Sequence, residues 1–326
     1  MNHIHHSTIA IAPMMSYTDR HFRRLARLLS RHTLLYTEMI TTAELLRGNS
    51  RRVLDYHPAE HPLALQLAGS NPRDLALCAR LGEEAGYDEI NLNVGCPSER
   101  VQRGHWGACL MKEPTVVAEA VMAMQEAVSL PVTVKTRVGV DDQDTYAHLQ
   151  RLIDTLATAG CHIFILHARK AWLKGLNPKE NRRTPPLQYD FVYRVKRDFP
   201  DLTIVLNGGI STSEEIRKHL MHVDGVMIGR QAYAQPAWIA SFDREFYHHN
   251  EAVKMDVVLK QYVQYMEEAL AQGARLPQLL RHLSGLFQGR PGARRWRREL
   301  QEVARQEPAE GLLFLQRPWD VDWLVP

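Results

Sequence analysis

The feature that most constrains the fold is a regular alternation of short apolar runs and amphipathic segments over roughly the first 240 residues. Eight runs rich in apolar and β-branched residues are each followed by a segment with helical periodicity. The runs are near-continuous rather than alternating, which is typical of parallel strands covered by helices. They end at Met14, Ile40, Gly69, Cys96, Gly139, Arg169, Ile210 and Arg230.

Helix signals separate these runs. Asn71 before Pro72 predicts an N-cap and a first-turn proline. Gly160 is placed to end the helix that precedes it. Ser211 and Thr212 are each followed three residues later by Glu, which predicts two overlapping capping boxes. Eight β-α units predict an α/β protein with a (β/α)8 TIM barrel, and the alternative is a doubly wound open sheet.

The pattern changes after about residue 246. Periodicity is helical over 256–271 and 277–304, and no further strand run appears. We therefore predict a catalytic barrel over residues 1–246 and an all-helical domain over 247–326. The tail over 307–326 has no clear period and is expected to form a strap or to be partly disordered.

Several classes of protein are disfavoured by composition. No window approaches the ~18 apolar residues of a membrane span, and the N-terminus lacks the features of a signal peptide. The four cysteines form no CxxC pair, which argues against zinc and a disulfide framework. Two of them, Cys78 and Cys161, are expected to be buried. We expect a monomeric cytoplasmic protein with no metal site and no membrane partner.

Charge is unevenly distributed in a chain whose net charge is only +3. The segment 281–298 carries six arginines and no acid, and a second basic group lies at 179–183. Local basic patches in a near-neutral protein favour a polyanionic partner. A solvated helix face is the alternative.

Chemistry-bearing residues cluster at the ends of the predicted strands, where TIM barrels place their sites. Cys96 lies on a Gly-Cys-Pro turn after the fourth run and can serve as a nucleophile or a proton donor. Lys135 and His167, on neighbouring strands, are placed to lower its pKa. Cys109, in the following loop, is the only rival thiol.

Each of these residues also has a plainer interpretation. Lys135 suits a Schiff base or contact with a reduced flavin, but it could instead snorkel at a strand end. A lone histidine such as His167 is more often a core residue. Met14 and Met15 suit core packing or a soft floor for a flat ring.

Glycine turns follow the last two runs, at Asn207-Gly208-Gly209 and Gly229-Arg230. Glycines let main-chain N–H groups approach an anion, and TIM barrels commonly hold phosphate at this place. These turns therefore predict a phosphate site.

A family resemblance runs over about residues 8–300. It rests on the motifs APMMSYTDRHFR, TEMI, LQLAGS, NLNVGCPS, GACLM, VTVKTRVG, HARKAWLKGLNPKENR, NGGI and DGVMIGR. Together these resemble the tRNA-dihydrouridine synthases, specifically their A subfamily. The resemblance implies a flavin-binding TIM barrel followed by a helical domain. It also implies FMN reduced by NADPH, tRNA as the substrate, and 5,6-dihydrouridine at positions 20 and 20a of the D-loop as the product.

The same resemblance implies roles for individual residues. Cys96 would be the proton donor to C5 of uracil, after hydride from FMN N5 reaches C6. FMN would be held by Pro13, Met14, Met15, Gln66, Lys135, His167, Asn207, Gly208, Gly209, Gly229 and Arg230. The tRNA would be recognised by Asn93, Arg182, Arg294 and Arg297. Arg183 is a second basic candidate beside Arg182, and the tail after about Ala304 departs from the family and receives no role.

Two other functions remain open at this stage. Another flavin barrel, acting on a free pyrimidine such as dihydroorotate, would share Lys135 and the phosphate turns but would not need Arg294 and Arg297. A flavin-free tRNA-binding module would explain the basic helices and leave Cys96 and His167 without a purpose. No dinucleotide fingerprint marks where NADPH docks.

Overall fold

The computed structural model describes residues 9–316, which form two compact units. The barrel unit comprises residues 9–15, 34–56 and 61–229. The helical unit comprises residues 16–33, 57–60 and 230–316. The helical unit is therefore assembled from three separate stretches of the chain. The division into domains at residue 246 stays a prediction.

The barrel unit is a closed parallel sheet. Its strands are β1 (Ile9–Ile11), β2 (Leu34–Tyr36), β3 (Ile40–Thr41), β4 (Leu63–Ala68), β5 (Glu89–Val94), β6 (Val132–Arg137), β7 (Ile163–His167), β8 (Thr203–Asn207) and β9 (Gly225–Ile228). They follow the order β2-β1-β9-β8-β7-β6-β5-β4-β3, and a β2–β4 pairing closes the ring into eight strands. The predicted (β/α)8 barrel is confirmed. The second apolar run differs from the prediction, because it is divided into β2 and the short β3, which pairs only with β4.

The barrel interior is apolar on one side and polar on the other. Apolar side chains from β1, β2, β4, β7, β8 and β9 form one buried cluster. β5 instead alternates between polar and apolar residues, and β6 carries polar residues at Thr133 and from Lys135 to Arg137. The expectation of near-continuous apolar runs was wrong for these two strands. Their polar residues are tolerated inside because hydrogen bonds satisfy them.

Helices connect the strands and build the second unit. They are α1 (Arg20–Leu29), α2 (Thr42–Arg47), α3 (Ser50–Val53), α4 (Pro72–Glu84), α5 (Glu99–Arg103), α6 (Pro114–Ala127), α7 (Tyr146–Thr158), α8 (Tyr189–Asp198), α9 (Ser213–Leu220), α10 (Arg230–Ala234), α11 (Phe242–Phe246), α12 (Met255–Ala271), α13 (Leu276–Leu280), α14 (Ala293–Val303) and α15 (Pro308–Gln316). Short 3₁₀ turns lie at Pro58–Glu60, Gly107–Lys112, Glu180–Arg182, Pro236–Ser241 and Arg281–Leu283. Within residues 9–316, no helix has the length and apolarity needed to cross a membrane.

Most of the helix signals act as predicted. Asn71 caps α4 through its side chain, and Gly160 follows α7 with a positive φ of 92°. Thr212 and Glu215 form a capping box at the start of α9. The prediction of a second, overlapping capping box between Ser211 and Glu214 was wrong, because the Ser211 hydroxyl also donates to Glu215, at 2.9 Å.

The helical unit joins α1 to the C-terminal helices through polar side-chain contacts. Asp19 caps α1 and also accepts from His282 Nε2 at 2.9 Å and from Arg281. His21 Nδ1 lies 2.6 Å from the Tyr265 hydroxyl on α12. Arg281 therefore belongs to an internal ion pair, although its charge had suggested a polyanion contact.

The C-terminal region is more broken than its periodicity suggested. The predicted helical stretch 277–304 is interrupted between residues 284 and 292, where Gly289 and Gly292 have positive φ. The expectation of an irregular tail was wrong for α15, whose Phe314 and Leu315 are buried. The remainder of the tail, residues 317–326, lies outside the described residues.

Candidate active site

The thiol of Cys96 lies on a turn that a side chain of β5 holds in place. The Asn93 carboxamide oxygen accepts hydrogen bonds from the main-chain N–H groups of Gly95 and Cys96, at 3.1 and 3.0 Å. Cys96 is half-buried, and its Sγ lies 3.6 Å from the Ser98 hydroxyl. The turn is therefore fixed by the strand that leads into it, while the thiol stays partly accessible.

Lys135 lies on the strand next to the one that leads into this turn, because it pairs in register with Asn93 across β5 and β6. Its Nζ donates to Asn207 Oδ1 on β8 at 3.0 Å, which is possible only across the barrel interior. Burial of the ammonium lowers the pKa of Lys135 to about 7, and repulsion from Arg137 adds to this effect. A Cys96 thiolate acts in the opposite direction. The site therefore favours an anion beside Lys135.

Arg137 ties the Cys96 turn to the loop after β7. Its Nε donates to the Gly95 carbonyl at 2.8 Å, and its Nη1 donates to the carbonyls of Lys170 and Asn181, both at 3.1 Å. The guanidinium is buried, which lowers the pKa of Arg137 to about 10. The sequence alone assigned no role to Arg137. The alternation of Thr133, Lys135 and Arg137 along β6 is the signal that would have found it.

The loop after β7 is organised by one buried amide. Asn181 is fully buried, and its Nδ2 donates to the carbonyls of Trp172 and Leu176, at 2.9 and 3.0 Å. Its Oδ1 accepts from the Trp172 N–H at 2.7 Å. Arg182 follows directly and is half-buried, whereas Arg183 is exposed. The loop geometry thus distinguishes the two basic candidates.

The first glycine turn leaves no room for a side chain. Gly208 has a φ of 113°, and a Cβ there would lie 2.6 Å from His167 Cδ2. His167 pairs in register with Asn207 on one side and with Arg137 on the other. The imidazole therefore packs against the bare main chain of this turn.

The end of the first predicted strand contributes apolar side chains, and the end of the third contributes a buried amide. Met14 packs against the apolar cluster inside the barrel, and a Cβ on Gly229 would lie 3.5 Å from its Sδ. Met15 is 51% exposed, and the preceding Pro13 is half-buried. Gln66 is buried at 1% exposure and accepts from Asn93 Nδ2 at 2.8 Å.

Comparison with known proteins identifies the family. The family model described as dihydrouridine synthase (Dus) matches residues 10–317. The chain belongs to the dihydrouridine synthase family. It is 55% identical over 303 residues to the tRNA-dihydrouridine(20/20a) synthase of Shewanella oneidensis, covering 93% of this chain and 90% of the relative. It is 56% identical over 304 residues to the protein of that name from Salmonella typhimurium, covering 92% and 91%.

Two solved structures share the fold of this dihydrouridine synthase. Morphinone reductase superposes with a TM-score of 0.51 at 15% identity, covering 73% of this chain and 85% of that one. Histamine dehydrogenase from Rhizobium sp. 4-9 gives a TM-score of 0.54 at 13% identity, covering 72% and 45%. At these identities the likeness extends to the fold alone.

The basic residues of the synthase's helical unit lie on and beside α14. Arg294 is exposed, and Arg297 donates through Nη1 to the Gln288 side chain. Residues 288–295 and Arg297 line an open surface cleft. Two other arginines, Arg295 and Arg298, form ion pairs with acids one turn along the helix. The predicted basic face therefore exists, and part of its charge is neutralised locally.

The remaining cysteines of the synthase separate by environment. Cys78 and Cys161 are fully buried, and burial raises the pKa of each thiol to about 12. The Cys109 thiol donates to the Trp106 carbonyl at 2.9 Å, and burial raises its pKa. Of the two loop thiols, Cys96 is the one fixed beside Lys135 and Arg137.

Arg230 is exposed and begins α10.

Proposed function

We propose that this dihydrouridine synthase reduces the C5–C6 double bond of uridine to 5,6-dihydrouridine at positions 20 and 20a of the tRNA D-loop, with FMN as the flavin and NADPH as its reductant. The chain belongs to the dihydrouridine synthase family, and more than half of its aligned residues are identical to those of relatives named tRNA-dihydrouridine(20/20a) synthase. The carrying observation is that a fixed, partly accessible thiol, Cys96, follows β5, while Lys135 lies on the adjoining β6 in register with Asn93.

The residues at the strand ends fit FMN. Gly208 has a positive φ of 113°, and glycine turns of this kind let main-chain N–H groups approach a phosphate. Lys135 gains a counter-charge from the electron-rich pyrimidine side of a reduced flavin. When bound, the flavin would supply the hydride that adds to C6 of uracil. We assign it to Pro13, Met14, Met15, Gln66, Lys135, His167, Asn207, Gly208, Gly209, Gly229 and Arg230.

The second half of the reduction is the addition of a proton to C5, which we assign to the thiol of Cys96. Donation leaves a thiolate, and the neighbouring Lys135 and Arg137 are the cations that stabilise it. The turn holds the sulfur in position because Asn93 accepts from two successive main-chain N–H groups. Hydride and proton together account for both hydrogens that the product gains.

The substrate base must leave the folded tRNA to reach this thiol, because enzymes that act on a stacked base extrude it into a pocket. We assign Asn93 to contact with the extruded uridine. Arg182, Arg294 and Arg297 would bind the phosphate backbone, a salt-sensitive contribution to affinity. Arg182 is favoured over Arg183 because the buried Asn181 fixes its position.

The test is turnover on tRNA by the full-length protein. The purified protein should show flavin absorbance and, with NADPH, should form dihydrouridine in unmodified tRNA but should not reduce the C5–C6 bond of free uracil or orotate. Cys96→Ala should still allow NADPH to reduce the flavin while dihydrouridine formation falls by about 100-fold or more. Cys109→Ala is the matched control and should keep full turnover. Turnover on the free base alone, or full activity of Cys96→Ala, would contradict the proposal.

A further inference from the structure

A continuous chain of hydrogen bonds runs inside the barrel between β4, β5 and β6. The Thr133 hydroxyl donates to Glu89 Oε1 at 2.6 Å, and Asn91 Nδ2 donates to Thr133 Oγ1 at 2.7 Å. Gln66 Nε2 donates to Asn91 Oδ1 at 2.8 Å, and Asn93 Nδ2 donates to Gln66 Oε1 at 2.8 Å. Glu89, Thr133 and Asn91 are each 0% exposed, and Gln66 is 1% exposed.

Every donor in this chain points the same way, and the main-chain end fixes that direction. At one end, Asn93 Oδ1 faces the main-chain N–H groups of Gly95 and Cys96, which can only donate. At the other end, Glu89 Oε1 accepts from Thr133 and also from the Tyr36 hydroxyl at 2.7 Å. Burial raises the pKa of Tyr36 well above its usual value, so that hydroxyl remains a donor.

A carboxamide at such a site can normally be turned over, which exchanges its oxygen and its nitrogen. Turning any one amide of this chain would set donor against donor or acceptor against acceptor at buried positions, which is costly. The chain of hydrogen bonds therefore allows each amide only one orientation. Asn93 always presents its oxygen to the Cys96 turn, and its second N–H has no partner among residues 9–316. That N–H is left to donate to a carbonyl oxygen.

We propose that Glu89, Asn91 and Thr133 are positioning residues that act through Gln66 and Asn93 to hold the Cys96 turn and to make Asn93 an obligate hydrogen-bond donor toward a carbonyl of the substrate base. None of the three is accessible enough to touch a substrate. The inference rests on the proposed function, because it concerns the base that Cys96 protonates.

The test uses the full-length, flavin-loaded protein in single turnover on unmodified tRNA. Thr133→Val removes the hydroxyl and breaks the chain at nearly constant volume. Thr133→Ser keeps the hydroxyl and should restore the rate. Tyr36→Phe is the matched control, because it removes a hydrogen bond to the same Glu89 oxygen without lying in the chain. Flavin reduction by NADPH without tRNA and thermal stability are measured alongside.

Thr133→Val should slow dihydrouridine formation by about 10- to 100-fold, the scale expected for a misplaced reacting group. Thr133→Ser and Tyr36→Phe should stay within about two-fold of the parent rate, even where stability falls. Combined with Asn93→Ala, Thr133→Val should add no further loss, because the two act as one unit. An unchanged rate in Thr133→Val, or an equal loss in Tyr36→Phe, would overturn the inference.

A second variant covers the case in which Thr133→Val does not fold. Thr133→Ala removes the same hydroxyl without adding the second methyl group of valine, and it also breaks the chain at Thr133. It should be slower than Tyr36→Phe, and equal rates would overturn the inference. Failure of the parent protein to form dihydrouridine would instead refute the proposed function.

Discussion

Replacing Lys135 should stabilise the cofactor-free protein while it damages the site. The pKa of Lys135 falls from 10.5 to about 7 because the folded protein desolvates its ammonium. At pH 7 the unfolded chain holds this proton fully and the folded chain about half, so the lysine costs about 4 kcal/mol of unfolding free energy. Lys135→Met removes that cost but leaves Asn207 Oδ1 without its donor, at about 1–3 kcal/mol. The net gain at pH 7 should be about 1–3 kcal/mol.

The pH dependence isolates the lysine from the lost hydrogen bond. Between pH 7 and 10.5 the unfolded state binds more protons, so the parent protein gains stability as pH rises through this window. By pH 9.5 the cost of Lys135 should shrink to about 1 kcal/mol, and the advantage of Lys135→Met should fall by about 3 kcal/mol. Lys112→Met, at a lysine paired with Asp141 at 2.8 Å, is the control and should bring no gain.

Urea unfolding of flavin-free parent and variants at pH 7 and pH 9.5 measures these differences. An advantage of Lys135→Met that does not change between the two pH values would refute the reasoning, whatever its size. The reasoning would also be refuted if Lys135→Met were less stable than the parent at pH 7 by more than the loss of one hydrogen bond explains.

The remaining predictions concern the basic helix and the glycine turn. Arg294→Ala with Arg297→Ala should weaken tRNA binding at least about ten-fold and reduce the salt slope by about two, while NADPH oxidation is unchanged. Titrations at several salt concentrations measure this, and Arg298→Ala, whose charge is partly met by Glu302, should change affinity less. An equal loss in Arg298→Ala would show that only total charge matters. Gly208→Ala should lower flavin affinity by about ten-fold or more, because its Cβ would meet His167 at 2.6 Å in a backbone conformation costly for alanine. Flavin retention on gel filtration measures this, and a fully loaded variant would contradict the close-packed turn.

The barrel was predictable because its signal is local. Apart from β5 and β6, the strands are short apolar runs, and helix starts such as Asn71 and Thr212 follow them within a few residues. The strand-end residues followed from the rule that sites lie at one end of a barrel. Cys96 and Lys135 were found in this way, and the register of β5 against β6 brings them onto adjoining strands.

The roles that could not be predicted from the sequence depend on hydrogen-bond and ion-pair partners far along the chain. Arg137 acts through the carbonyls of Gly95 and Asn181, 42 and 44 positions away. Arg281 pairs with Asp19 across 262 positions, so its neighbours in sequence gave no sign of that ion pair. The polar residues within β5 and β6 were visible, but polar residues inside a barrel become interpretable only when their hydrogen-bond partners are known.

The composition of the helical unit bears on how the chain can be cut. Asp19 and Ser30 near the N-terminus hydrogen-bond to His282 and Asp243 near the C-terminus, within one unit. A gene fragment that begins at residue 247 would lack α1 and the capping carboxylate that His282 requires. The C-terminal helices are therefore not a transferable cassette. A swap between relatives would have to carry residues 16–33 and 57–60 along with them.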